Sequence, residues 1–204
     1  MTDAAPDAWP PAEVPAGHVP VFPLPGEFLF PGRLLPLHIF EVRYRQMIKD
    51  LMDQRGWIVI CAIRAGHEAE ELESPPFYEI GGLGEIVGHN HLKDGRFLVT
   101  LQGLQRVRVR EVESGKPYRM VEFEELQESQ PTGEGAVATT IALREAIRER
   151  SEGQQEIPDE APMAPLADLL LLYLKLPAEE KQAAFAELDA GRRAHIALAR
   201  HIAD

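Results

Sequence analysis

The chain has 204 residues, 21 Lys and Arg against 33 Asp and Glu, and 45% apolar residues, for a formal net charge of −12; that is the make-up of a globular protein with a core of its own. The acidity is evenly spread, with 13 basic and 19 acidic residues up to position 126 and 8 and 14 after it, so neither part offers the basic face that binding a polyphosphate calls for. A single cysteine, Cys61, excludes an internal disulfide and a cysteine-based zinc site.

Residues 1–17 read as a disordered, acidic, proline-rich leader, because Pro6, Pro10, Pro11 and Pro15 prevent regular pairing. The leader lacks the positive start and apolar core of a signal peptide. The longest greasy stretch, Leu166 to Leu176, is interrupted by Asp168 and Lys175 and is shorter than the ~20 residues of a spanning helix. Both features predict a cytoplasmic protein with no membrane partner. From Val19 the chain turns to short extended segments, HVPVFPL, then the turn-rich PGEFLFPG, then RLLPLHIF, whose prolines confine them to edge or irregular strands. A helix is predicted from Val42 to Gln54, since Tyr44, Met47, Ile48 and Leu51 form one apolar stripe, with Gly56 as its C-terminal cap. WIVICAI (57–63) is a continuous β-branched run and reads as a buried strand, followed by an acidic loop over 65–76.

Tyr78 to His91 is predicted to be a bent or bulged strand, because Gly81, Gly82, Gly84 and Gly88 interrupt it. Asp94-Gly95 marks a hairpin. RFLVTLQG, LQRVRVREV (104–112) and YRMVEFEEL (118–126) follow, the last two alternating strictly on either side of a turn at Ser114–Pro117. A meander of six or seven short strands is expected to close into a barrel or half-barrel. After Leu126 the pattern becomes helical. Helices are predicted at 136–152 and 163–175, then from Pro177, then beyond Gly191 as a separator.

The order VFPLPGEFLFPGRLLPLHIFEVRYRQMI, then EIGGLGEIV, DGRFLVTLQGLQRVRV, YRMVEFEEL and LLYLKLPAEEKQ resembles the N-terminal domain of Lon protease, in the form of a stand-alone Lon-domain protein. The resemblance covers nearly everything from Val19 onward. It implies an α+β fold: an N-terminal PUA-like β pseudobarrel with one inserted helix over 18–126, followed by a C-terminal helical bundle over 127–204. The chain departs from the family pattern at Val42, where proline is common, and at Gly81-Gly82, where Gly-Thr is common. No Walker A loop is present, since Gly115-Lys116 is followed by Pro117. The family's ATPase and serine–lysine protease domains are not matched. The implied function is therefore non-enzymatic, needs no cofactor or metal, and consists in engaging exposed or unfolded polypeptide, or a partner protein, in quality control.

Phe28, Leu29 and Phe30, bounded by Pro25-Gly26 and Pro31-Gly32, carry the sequence-level site. Two readings stay open: the three side chains cap the barrel, or together with Pro31, Leu35 and Tyr44 they line an exposed groove for apolar peptide, with nearby edge strands open to strand addition. Two other chemistries have candidates. Arg106, Arg108 and Arg110 form a basic row on one strand face, an RNA-binding reading. The competing reading pairs the row with Glu122 and Glu124 on the next strand, with Val107 and Val109 facing the core beside Val121 and Phe123. His89 and His91, with Glu85 or Asp94, would start a metal-dependent hydrolase site, against the reading of a solvated strand end. Gly82–Val87 only approximates a dinucleotide fingerprint, since Val87 stands at the third glycine position. Ser74, Ser114, Ser129 and Ser151 lie in no nucleophile motif. Cys61 reads as a buried small apolar residue.

Overall fold

Residues 17–52, 56–67 and 74–203 are described in the computed structural model; of the leader expected over 1–17, residues 1–16 lie outside them. Strands β1 (Val19–Leu24), β2 (Leu34–Ile39), β3 (Trp57–Ala62), β4 (Ile80–His91), β5 (Phe97–Val112) and β6 (Met120–Glu125) form one sheet in the order β2-β5-β4-β3-β1-β6, and β6 pairs back onto β5. Five strands thus close into a barrel. β5 is long enough to carry β2 along its first half and β6 along its second. Helix α1 (Val42–Met52) lies between β2 and β3 in the chain, and α2 (Glu134–Arg150), α3 (Met163–Tyr173), α4 (Ala178–Ala186) and α5 (Ala190–Ala203) follow the barrel. The α+β class expected from the sequence is the fold observed.

The connectivity is not the expected meander. β1 runs parallel to β3, with Val21 beside Val59 and Leu24 beside Ala62, and a parallel neighbour needs a long crossover; β2 and α1 are that crossover. β5 is one strand of 16 residues, where the sequence suggested two segments meeting at Gly103. The bulged strand is found: the β4–β5 register shifts at Leu83/Gly84 and again at Ile86/Gly88. The β5–β6 register places Arg108 opposite Glu124, Val109 opposite Phe123 and Arg110 opposite Glu122, as the alternation predicts. Gly191 does not separate two helices. It lies in the first turn of α5, whose start is capped by Asp189, the carboxylate accepting from the amides of Gly191 (2.8 Å) and Arg192 (3.0 Å).

Two apolar cores meet at residues 28–30. Leu29 belongs to the cluster that packs α1 against the sheet, with Phe22, Ile39, Tyr44, Met47 and Leu101, whereas the interior of the closed barrel is filled by Val21, Val59, Leu83, Val107, Val109 and Val121. Phe28 and Phe30 belong to the cluster built from α2–α5, against Phe185, with ring centroids 5.6 and 5.1 Å away. Glycines on β4 and β5 make room for this wedge: a Cβ at Gly82 would stand 2.0 Å from the Leu29 carbonyl oxygen, and one at Gly103 2.1 Å from that of Phe30. Gly82 is one of the positions at which the chain departs from the family pattern, and here no side chain fits.

α1 is tied to the turn before β6 by Asp50, whose carboxylate accepts from Lys116 Nζ (2.8 Å), Tyr118 Oη (2.7 Å) and Gln46 Nε2 (2.6 Å). These hydrogen bonds, that of Lys116 first, hold its pKa at about 2. A carboxyl depressed on folding adds stability above its unfolded pKa and loses it as pH falls through the folded value. Asp50→Asn is therefore expected to flatten the fall in melting temperature between pH 4 and pH 2. Gly103→Ala is expected to destabilise the fold by roughly 3 kcal/mol through overpacking. Gly115→Ala, with nothing within 4 Å, should change denaturant stability by less than about 0.5 kcal/mol.

Candidate functional site

The residues nominated from sequence are mostly interior. Phe28, Leu29 and Phe30 are at most 8% exposed and Tyr44 is 6% exposed, while Pro31 and Leu35 are half-buried. Of the two readings of the Phe-rich loop, the exposed groove is corrected by this placement. The loop is wedged between barrel and helices because Gly82, Gly84 and Gly103 leave a slot for it and Phe185 closes over it. Tyr44 packs against Phe22 in a tilted pair with centroids 4.3 Å apart, and burial pushes its phenol pKa up.

The arginine row is divided. Arg108 and Arg110 are exposed and paired with Glu124 (3.6 Å) and Glu122. Arg106 is 1% exposed. It points outward from the barrel, but α3 and α4 cover that face. Its Nε donates to the Phe185 carbonyl (2.6 Å), one Nη to Asp168 (2.7 Å) and the other to Glu128. Arg193 on α5 reaches the same two carboxylates, at 2.8 Å to Asp168 and 2.6 Å to Glu128. Burial pushes the Asp168 carboxyl up, and Arg106 and Arg193 pull it back down. No continuous basic surface for RNA exists along this strand. Sequence reasoning did not single out Asp168 or Arg193; the available signal was a charge inside the apolar runs of α3 and α5.

His89 and His91 lie at the solvent-exposed end of β4. The His91 ring stacks on Phe97 at 4.4 Å. Among the described residues no three His, Cys, Asp or Glu side chains converge to hold a metal, and the Cys61 thiol is buried, its pKa raised by desolvation.

Two open depressions lie among the described residues. The larger, about 1020 Å³, lies over β5 and β6 between His18, Phe77, Arg108 and Glu125. Nine of its fifteen lining residues are charged and of both signs; Arg108, Arg110 and Arg119 are engaged by Glu124, Glu122 and Glu111, and Arg64 donates to the Phe77 carbonyl. An apolar segment laid there would strip water from these charges, which is unfavourable. The smaller, about 450 Å³, lies on the outer face of β2, β5 and β4 and is lined by nine residues, none of them Asp, Glu, Lys or Arg.

That second face is apolar. β2 alternates, with Leu34, Pro36, His38 and Phe40 outward and Leu35, Leu37 and Ile39 inward. The register sets His38 beside Leu98 and Pro36 beside Thr100 on β5. Leu34 is 63% exposed, Phe40 62% and Leu98 44%, with Val42 and Val87 next to them also exposed. Among the described residues β2 has a strand neighbour on one side only. The Gly103 amide donates to the Arg33 carbonyl (2.8 Å), which fixes the phase: odd residues bond β5, and even residues turn their backbone groups to the free edge. Pro36 lacks an N–H there, the usual way an edge strand is blunted. The signal for this face was present in RLLPLHIF, a strand apolar on both faces yet carrying an edge-strand proline.

A family model described as the ATP-dependent protease La (LON) substrate-binding domain matches residues 18–199. The chain is 27% identical over 213 residues to Lon protease 2 of Myxococcus xanthus, covering 96% of this chain and 26% of that protein. It is 27% identical over 124 residues to Lon protease 2 of Syntrophobacter fumaroxidans, covering 61% of this chain and 16% of the relative. The chain thus spans about a quarter or less of these relatives. Among solved structures, a Lon N-terminal domain protein from Xanthomonas campestris superposes with a TM-score of 0.64 at 22% identity, over 90% of this chain and 98% of the other. The N-terminal domain of Mycobacterium avium complex Lon protease gives 0.69 at 18% identity, over 91% and 98%. At these identities the two structures establish the fold.

Removing Asp168 should leave two buried guanidinium groups with one carboxylate between them. Asp168→Ala is expected to lower denaturant stability by about 3–5 kcal/mol, and Phe30→Ala by a similar 3–5 kcal/mol through the cavity left against Phe185. A Phe30 variant with unchanged stability would contradict the wedge.

Proposed function

Because the chain belongs to the LON substrate-binding domain family, we propose that it is a non-catalytic module that engages exposed or unfolded polypeptide segments in protein quality control, and that the outer face of β2 and β5 is where it holds them. One observation carries the location: the exposed large apolar side chains Leu34 and Leu98 lie on the paired strands β2 and β5, with exposed Phe40 directly after β2. Contiguous exposed apolar surface is the usual mark of a protein-binding site. The barrel behind it is rigid, so little ordering is needed on contact. The net charge of −12 keeps a sticky surface in solution and favours basic over acidic clients.

The test is capture of a reduced, unfolded model protein by the purified chain. Phe40→Ser with Leu98→Ser is expected to weaken capture at least tenfold, since each substitution removes an apolar contact of about 1–2 kcal/mol, while the melting temperature holds. Val137→Ser with Ile141→Ser, a second exposed apolar pair on α2, should leave capture unchanged. Equal loss from both pairs would mean undirected stickiness and would remove the β2 face from the site.

A further inference from the structure

The smaller depression has a floor, and that floor is Gly88. The register shift between Ile86 and Gly88 puts Gly88 opposite Thr100 and leaves Val87 out of the ladder, 46% exposed. A Cβ at Gly88 would meet nothing closer than Thr100 Cβ at 3.9 Å, so the hollow is open down to the β4 backbone. Leu98 and Pro36 wall one side. His38, His89, Asn90 and Thr100 supply polar atoms to the lining.

We propose that this hollow is a side-chain subsite that takes one bulky uncharged residue of an extended polypeptide lying across β2 and β5; the proposal rests on the reading of the β2 face given above. Three observations favour that occupant. The lining carries no Asp, Glu, Lys or Arg, in contrast to the larger cleft, so a charged side chain would lose its hydration there with no opposite charge in return. The volume, about 450 Å³, suits one large side chain with its flanking backbone and is in the range of specific small-molecule pockets. The hollow is continuous with the exposed apolar row of β2, so a segment held by Phe40 and Leu98 passes over it. Gly88 thereby becomes a specificity-determining residue, its missing side chain being the space the client fills.

The probes are two fluorescent 12-residue peptides of alternating valine and threonine, one with a single central phenylalanine and the other with alanine in its place, titrated by anisotropy. Wild type is expected to bind the phenylalanine peptide about tenfold more tightly, the order expected for burying most of one aromatic side chain. Gly88→Val fills the hollow with a residue suited to a strand and is expected to bind the two peptides with equal affinity, with an unchanged melting temperature. Phe40→Ser should weaken both peptides alike. A Gly88→Val protein that still prefers phenylalanine would overturn the subsite and leave the β2 face standing, whereas a wild type that binds neither peptide would overturn both. Sedimentation showing a dimer that Gly88→Val dissociates would overturn the proposal by assigning the hollow to a second copy of the chain.

Discussion

Arg106 on β5 and Arg193 on α5 meet Asp168 on α3 and Glu128 before α2, and this four-charge cluster joins the barrel to the helices. Both arginines are closed off from water, and Asp168 is nearly so. Such a cluster is costly to desolvate, and its net stabilisation is small compared with the loss on breaking it. Its consequence is geometric: two charged pairs fit together in one relative placement of barrel and helices, and any slippage strands a charge. The Phe185 carbonyl and the Phe30 and Phe185 rings lie against the Arg106 guanidinium, so the same arginine that anchors the helices also closes the lid over the apolar loop.

From that anchor follows the distribution of apolar surface. Phe28, Leu29 and Phe30 are drawn inward because two cores need filling at the seam, one with Leu29 and the other with the two phenylalanines. Helices cover the outer barrel face at Arg106, and close to the start of β2 Arg33 reaches them through a long hydrogen bond to the Pro165 carbonyl, 3.4 Å. The apolar residues of β2 that point outward thus stay available. The proposed binding surface is what the packing of the helices leaves open, on a scaffold too stiff to close over it.

Much of the barrel was legible residue by residue. The alternation of 104–112 and 118–126 set the inward valines and the Arg–Glu pairs, because a period of two and a short turn leave one register. The glycines of β4 announced its bulges. The edge at β2 was half legible: its prolines marked an edge strand, while the apolar residues of its outer face looked like core. The wedge was not legible, since a Phe-rich loop between two Pro-Gly turns has the same composition whether it faces water or a slot formed by glycines more than fifty positions later.

The sequence by itself determined where most strands and helices lie, the α+β order and the family, because these follow from local periodicity, turn chemistry and the spacing of motifs. Tertiary structure alone decided which outward-facing side chains are outside. Arg106 and Arg108 are two apart with the same strand phase, yet one is sealed by helices sixty and more residues downstream and the other is solvated. Burial of an outward residue depends on what packs over it from far along the chain, and no local pattern carries that information.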